Sequence, residues 1–371
     1  MNKIISKWFY PKINNKFLDD IKKIIDSNFV NEGPFSKKFE KKLALKCKRK
    51  YCAVTSSGST ALLTALLAIG VKKNDEVFVP GFSFIATANA IKIIGAKPVW
   101  IDIDVNTMCM SHEDLLKKIN KRKKIPKYLV TVEVNGYAPD YKKIISICSK
   151  FKIKFITDSA ESLGSRYNKK PLGSYGAISA LSFSPNKIIT TGQGGAVLTD
   201  DKKLYKDILA IKYQGNHIRG DGGADTFYRM GLNFKLSDIN CALGLSQINS
   251  IDKRLSNTQN NSKAFEKILR NKDIFFPKIH KGGKKLWVDR FPDITDFYDD
   301  NDRFTVTNKE RNEYQKFLEG LEPWERKAFE RAVEEDKNYY VLEFSNLGGL
   351  VMPIILELTY ADESTEMVRI P

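Results

Sequence analysis

The sequence predicts an α/β protein: a mostly parallel sheet with helices packed on both faces. Three observations carry this. Up to about residue 245, strand-like runs alternate with helix-like ones. The strand-like runs are apolar throughout, as expected of strands buried on both faces. At 371 residues and 42% hydrophobic, the chain is long enough for a large domain plus a smaller one.

The elements follow in order. Ala61–Gly70 is an apolar helix stopped by its last residue, a glycine. Glu76–Pro80 reads as a short buried strand, Ala86–Ile94 as a helix, and Pro98–Ile103 as the next strand. Tyr128–Val132, Lys154–Asp158 and Ile178–Phe183 are three more strands, and Tyr141–Lys152 and Lys202–Tyr213 are helices among them. Ser237 to about Leu269 carries apolar residues at helical spacing (Ile239, Leu243, Leu245, Ile248, Ile251, Leu255) and reads as one long, breakable helical region. His280–Lys285 reads as a linker, Asn308–Asp336 as an acidic helical stretch, and Tyr339–Phe344, Leu350–Tyr360 and Met367–Ile370 as strand-like runs.

Composition excludes several classes. No apolar run reaches the roughly 18 residues needed to span a bilayer. The start, Met1 to Trp8, lacks a signal-peptide core, which makes the cytosol the expected compartment. Five cysteines at irregular spacing, with no Cys-x-x-Cys pair, read as free buried thiols rather than a disulfide frame or metal site. The net charge of +17 hides a split: residues 1–285 balance at +27 and residues 286–371 at −10. The lysines form no stripe and no aromatic platform lies among them, so nucleic-acid binding is not expected. A polyanionic substrate would benefit from the positive field.

The chemistry-bearing signal is Leu181-Ser182-Phe183-Ser184-Pro185-Asn186-Lys187 followed by the Gly-rich Gly192–Gly195 loop. A lysine fixed beside a sheet edge can form a Schiff base with a carbonyl cofactor, although Lys187 alone is one lysine among 48. Asp158 ends a strand 29 residues earlier. A carboxylate there suits the protonated ring nitrogen of a pyridine cofactor; a helix N-cap is the competing role. Glu161 is a candidate for bonding a ring hydroxyl, or for capping. Thr55–Thr60 leads into the first helix and offers backbone N–H groups to a phosphate, with Gly58, Ser59, Thr60 and, from another strand end, Ser182 as candidate ligands; simple capping is the alternative. Phe84 can stack on an aromatic ring or serve as core.

Together these segments resemble the DegT/StrS family of nucleotide-sugar aminotransferases, pyridoxal-phosphate (PLP) enzymes of fold type I. The resemblance runs from Trp8-Phe9-Tyr10-Pro11 through Asn31–Glu40, Gly58–Leu62, Pro80–Ala90, Asp158–Gly164 and Ser182–Gly195. It continues through Gly231–Asp238 to about Pro277. It implies that Lys187 is the Schiff-base lysine, Asp158 the partner of the pyridine nitrogen and Phe84 the stacking ring. Glu161 matches a position of Gln, His or Glu, in the form found in enzymes making 4-amino sugars. Asn233, assisted by Lys235, matches a residue that reaches the PLP phosphate of a neighbouring subunit, which implies a homodimer with shared sites. The related 3-dehydratase branch has His where this chain has Lys187. The implied reaction passes an amino group from a donor, L-glutamate in most relatives, to a keto sugar on a nucleotide diphosphate.

Residues 1–277 are thus expected to form the PLP-binding large domain. Residues 278–371 do not match the family pattern and are expected to be an atypical, acidic region. Part of that region faintly resembles a segment of zinc-peptidase-like proteins, but the chain has no His-Glu-x-x-His. If the region replaces a substrate-closing domain, the alternative function is PLP binding without turnover.

Overall fold

A computed structural model describes residue 13, residues 15–216, 227, 229–257 and 260, and the backbone of 354–359 and 365–370. In chain order the elements are α1 (Leu18–Asp26), α2 (Pro34–Lys46), β1 (Tyr51–Thr55), α3 (Gly58–Ile69), β2 (Glu76–Pro80) and α4 (Ile85–Ile93). Next come β3 (Lys97–Ile101), β4 (Ile103–Asp104), β5 (Cys109–Met110), α5 (His112–Asn120), β6 (Tyr128–Val132) and α6 (Tyr141–Phe151). Then follow β7 (Lys154–Asp158), β8 (Arg166–Tyr167), β9 (Lys170–Pro171), β10 (Ile178–Ser182), β11 (Gly195–Thr199), α7 (Lys202–Lys212) and α8 (Asp238–Ile248).

Seven strands form one sheet in the order β1-β11-β10-β7-β6-β2-β3. The pairs β10–β7, β7–β6, β6–β2 and β2–β3 are parallel. Only β11 runs against its neighbours, pairing antiparallel with both β1 and β10. β1 therefore points the same way as the parallel strands. The carboxyl ends of β1, β2, β6, β7 and β10 all lie along one edge of the sheet, and the start of β11 joins them there.

Both faces are covered, as the apolar strands predict. One face buries Leu62, Leu66 and Ile69 of α3 and Ile208 and Ile211 of α7 against Val79, Val130, Ile156 and Val197. The opposite face divides in two. Phe39 and Leu43 of α2 and Cys241 and Leu245 of α8 pack on Val54, Leu181 and Leu198. Leu115 and Ile119 of α5 and Ile144 and Ile147 of α6 pack on Phe78, Ile101 and Leu129. Each such side chain contributes about 1.5–3 kcal/mol by leaving water. All five cysteines are free and buried. Burial pushes the thiols of Cys47, Cys109 and Cys148 up to about 12.

The helix ends follow local chemistry. Ser57 caps α3 by accepting the Thr60 N–H, and Gly70, at φ +102°, closes it. Asp140, Asp201 and Ser237 cap α6, α7 and α8 in the same way. Two expectations shift, and one alternative role, helix capping by Asp158, drops out. The strand expected over Pro98–Ile103 is two strands, β3 and β4, because β4 leaves the main sheet to pair with β5. No helix follows β7; residues 159–165 are a chain of turns. The long helical region is α8, a turn at 249–250 and further helix over 251–257, and its expected end lies outside the described residues.

The chain divides into two compact units, Met1–Tyr298 and Asp299–Pro371. In the second, β12 (Ile354–Thr359) and β13 (Thr365–Ile370) form an antiparallel hairpin, where two strand-like runs were expected. The linker 280–285, the acidic stretch 308–336 and the run 339–344 lie outside the described residues, as do His217 and His280.

Candidate active site

The sheet edge gathers most of the candidate residues. Asp158 ends β7 and is buried. Its Oδ2 accepts the Thr87 hydroxyl at 2.7 Å, and its Oδ1 accepts the Ala160 N–H at 3.1 Å. It caps no helix. Burial pushes its carboxyl above the ordinary aspartate value; the bonds from Thr87 and Ala160 and the charge of Lys187 oppose this without cancelling it. A buried carboxylate bonded by these neutral donors suits a cationic partner.

Lys187 leaves the turn after β10, and its Nζ lies 3.1 Å from Glu161 Oε1. The other oxygen, Glu161 Oε2, accepts the Asn135 N–H at 2.8 Å. Asn135 sits at φ +51°, in the left-handed region that asparagine tolerates. Two residues before it, the buried Glu133 accepts the Tyr141 hydroxyl at 2.5 Å and also the Ser162 hydroxyl. The 133–135 segment therefore holds the Asp158–Ser162 turn at two adjacent points, at Glu161, the residue facing Lys187, and at Ser162.

The first turn of α3 opens at the same edge. The N–H groups starting a helix lack partners within it, and its dipole favours an anion there. Gly58 is required by contact: a Cβ at 58 would stand 2.8 Å from Ser182 Cβ. A Cβ at 195 would stand 2.3 Å from the Ser57 carbonyl oxygen, so β11 reaches the turn only as glycine. Ser182 Oγ lies 3.1 Å from Ser184 Oγ. Ser59 is exposed, whereas the Thr60 hydroxyl donates to Ser57 O at 2.9 Å within the cap. The Thr60 hydroxyl is thus committed to the cap, and the Ser59 side chain is open to solvent.

Phe84 is not core: it is 73% exposed, at the N-cap of α4, three residues before Thr87. Asn233 is not brought to this cluster by a side-chain contact. It is exposed, and its backbone bridges to Tyr213. Thr87, Asn135 and Glu133 are the residues that sequence reasoning missed. Thr87 stood in a quoted motif without a role, and its partner lies 71 residues away.

The chain matches the DegT/DnrJ/EryC1/StrS aminotransferase family over residues 11–312. It belongs to that family. GDP-perosamine synthase of Escherichia coli O157:H7 is 33% identical over 280 residues, covering 75% of this chain and 74% of that protein. Among solved structures, Helicobacter pylori PseC, an aminotransferase involved in the biosynthesis of pseudoaminic acid, superposes with a TM-score of 0.68 at 28% identity, covering 72% of each chain. E. coli GDP-4-keto-6-deoxy-D-mannose-3-dehydratase with bound hydrated PLP gives a TM-score of 0.67 at 25% identity, covering 72% of this chain and 74% of that one. The fold is that of the PLP-dependent aminotransferases, and the cofactor is pyridoxal 5′-phosphate. The donor set fits it: a buried carboxylate, a lysine and a helix N-terminus stand along one edge. Among the described residues no helix is long and apolar enough to cross a membrane.

Proposed function

We propose that the chain aminates a keto sugar carried on a nucleotide diphosphate, with L-glutamate as amino donor and Lys187 as the catalytic residue. The observation that carries this reading is Lys187 Nζ held 3.1 Å from Glu161 Oε1, at the strand edge that also carries the buried Asp158. PLP supplies an electrophilic carbon and an electron-withdrawing ring. Asp158 would keep the ring nitrogen protonated, and Phe84 would offer its exposed ring to the cofactor. Glu161 orients Lys187 and accepts a hydrogen bond from the ring hydroxyl. The α3 turn at Gly58, Ser59 and Thr60, with Ser182, takes the phosphate. Lys187 Nζ would serve as the base and acid that holds and moves a proton at the substrate carbon.

The sugar class draws support from the E. coli relative, named for a GDP-linked sugar, and from the basic charge of the first 285 residues. We further propose a homodimer with shared sites, in which Asn233, assisted by Lys235, reaches the phosphate bound by the partner. Met230, 90% exposed, and the exposed Leu232 flank Asn233 with apolar surface suited to such a contact. In the proposed division, 1–277 is the cofactor domain and 278–371 an atypical acidic region.

Borohydride fixation of the cofactor followed by peptide mass mapping tests the core of this reading; a pyridoxyl group on any residue but Lys187 overturns it. A shift of the cofactor's visible band on adding L-glutamate tests the donor. The second reading, cofactor binding without turnover, rests on the quarter of the E. coli relative that this chain does not match. It predicts that the band shifts with glutamate while no nucleotide keto sugar in a panel reverses the shift.

A further inference from the structure

A buried ionic cluster lies away from Lys187. Lys212, the last residue of α7, is 0% exposed. Its Nζ pairs with Glu32 Oε1 and lies 3.6 Å from Glu40 Oε1. Tyr213 donates its hydroxyl to Glu32 Oε2 at 2.7 Å, and Glu40 Oε1 also accepts the Val54 N–H at 3.0 Å. Leaving one of these buried charges without its partner would be costly, so the cluster ties its elements to one another.

What they fix is the segment that carries Asn233. Leu232 N–H donates to Ile211 O at 2.8 Å and Phe234 N–H to Lys212 O at 3.2 Å, so 232–234 is stitched to the end of α7. Asp238 N–H donates to Asn31 O at 3.1 Å, and the Asp238 carboxylate accepts N–H groups from Gly33, Phe35 and Ser36 at 2.8–3.0 Å. The two anchor points, residues 211–213 and 31–36, are joined to each other through Lys212, Tyr213 and Glu32. The cluster thus joins the two anchors of the 232–238 segment, and Asn233 lies exposed within the anchor on α7.

We infer that Lys212, Tyr213 and Glu32 are positioning residues that present Asn233 to the cofactor site of a second copy, so that they act across the subunit boundary and not on their own chain's Lys187. This rests on the shared-site reading above. It predicts an asymmetry that a merely structural role would not produce.

The test uses full-length hybrids, co-expressed with two affinity tags and isolated on both. The readout is the amount of pyridoxal phosphate fixed by borohydride on Lys187 at limiting cofactor. Tyr213→Phe removes one hydroxyl and leaves the buried charges paired, so the protein is expected to fold. Lys212→Met is the stronger variant. Homodimers of Tyr213→Phe are expected to need about fivefold more cofactor, the equivalent of one ordinary hydrogen bond. Paired with Lys187→Ala, the Tyr213→Phe chain keeps its own lysine and receives an intact Asn233 segment, so wild-type affinity returns. Paired with Asn233→Ala, neither site is complete and affinity stays low. The reverse pattern, rescue by Asn233→Ala and none by Lys187→Ala, overturns the inference, as does wild-type affinity in the Tyr213→Phe homodimer. The Lys187→Ala with Asn233→Ala hybrid reads the shared-site proposal separately. If it shows no rescue, that proposal falls and takes this one with it; if it shows rescue, failure of the other hybrids counts against the cluster alone.

Discussion

At the scale of single residues, Lys187 and Asp158 have different claims on their neighbours. Lys187 meets a carboxylate, Glu161, 26 positions away, whereas Asp158 is buried and, among the described residues, accepts from a hydroxyl and an N–H. Lys187→Arg keeps a cation for Glu161 but loses the nucleophilic amine. It is expected to melt like the wild type, to take no borohydride-fixed cofactor and to lose at least about 10²–10⁴-fold in turnover. Thr87→Val removes the hydroxyl at 2.7 Å from Asp158 and keeps the shape. Hydrogen bonds to charged groups are worth roughly 1.5–3 kcal/mol, so cofactor affinity should fall by about tenfold or more while Thr87→Ser stays near wild type. A Thr87→Val protein that titrates with cofactor like the wild type would remove Thr87 from the site. Lys187, Asp158, Glu161 and Ser182 stood out as candidates near strand ends and turns, and the resemblance to the family gave Lys187, Asp158 and Glu161 their expected roles. Thr87, Glu133 and Asn135 did not stand out, because their value lies in partners that neither periodicity nor local spacing reveals.

At the scale of elements, the sheet was legible and its margins were not. Strands β2, β6, β7 and β10 announce themselves as apolar runs, and α6 and α7 lie near the bounds their patterns give. The helices α2 and α5 and the edge strand β1 were not isolated: α2 has no local cap at its start, α5 has only nine residues, and β1 is a five-residue run with no turn signal of its own. The start of α2 shows why. Gly33 supplies no side-chain cap, and Pro34 stands at the first helical position. The cap comes from Asp238, which accepts the Gly33, Phe35 and Ser36 N–H groups from more than 200 residues away. A local capping search cannot find it. Asp238→Ala should cost about 2 kcal/mol, the upper end for a helix cap because three donors lose their acceptor at once. A lower melting temperature, with faster amide exchange confined to the first turn of α2, is the expected result. An unchanged exchange rate at Phe35 and Ser36 would show that the cap is dispensable.

At the scale of the whole molecule, two buried carboxyls link stability to pH. Burial pushes Glu133 above its ordinary value, against bonds from Ser162, Tyr141 and Ser159 and the Gly173 N–H. Burial does the same to Asp158. A carboxyl raised in the folded state holds its proton where the unfolded chain has already released it. Its contribution to stability is therefore full below the ordinary carboxylate range and is lost as pH rises through the folded value. The cofactor-free protein should melt at progressively lower temperature as pH climbs out of that range, and Glu133→Gln, which has nothing to ionise, should flatten the decline. Bound cofactor acts on the other group alone. A cationic ring nitrogen beside Asp158 gives the ionised carboxylate a partner, so loading cancels the Asp158 part of the decline and leaves the Glu133 part. The gap in melting temperature between loaded and cofactor-free protein should consequently widen as pH rises. It should not widen in Asp158→Asn, where no charge appears. A gap that stays constant or narrows in the wild-type chain would mean that the ring nitrogen is not what Asp158 faces.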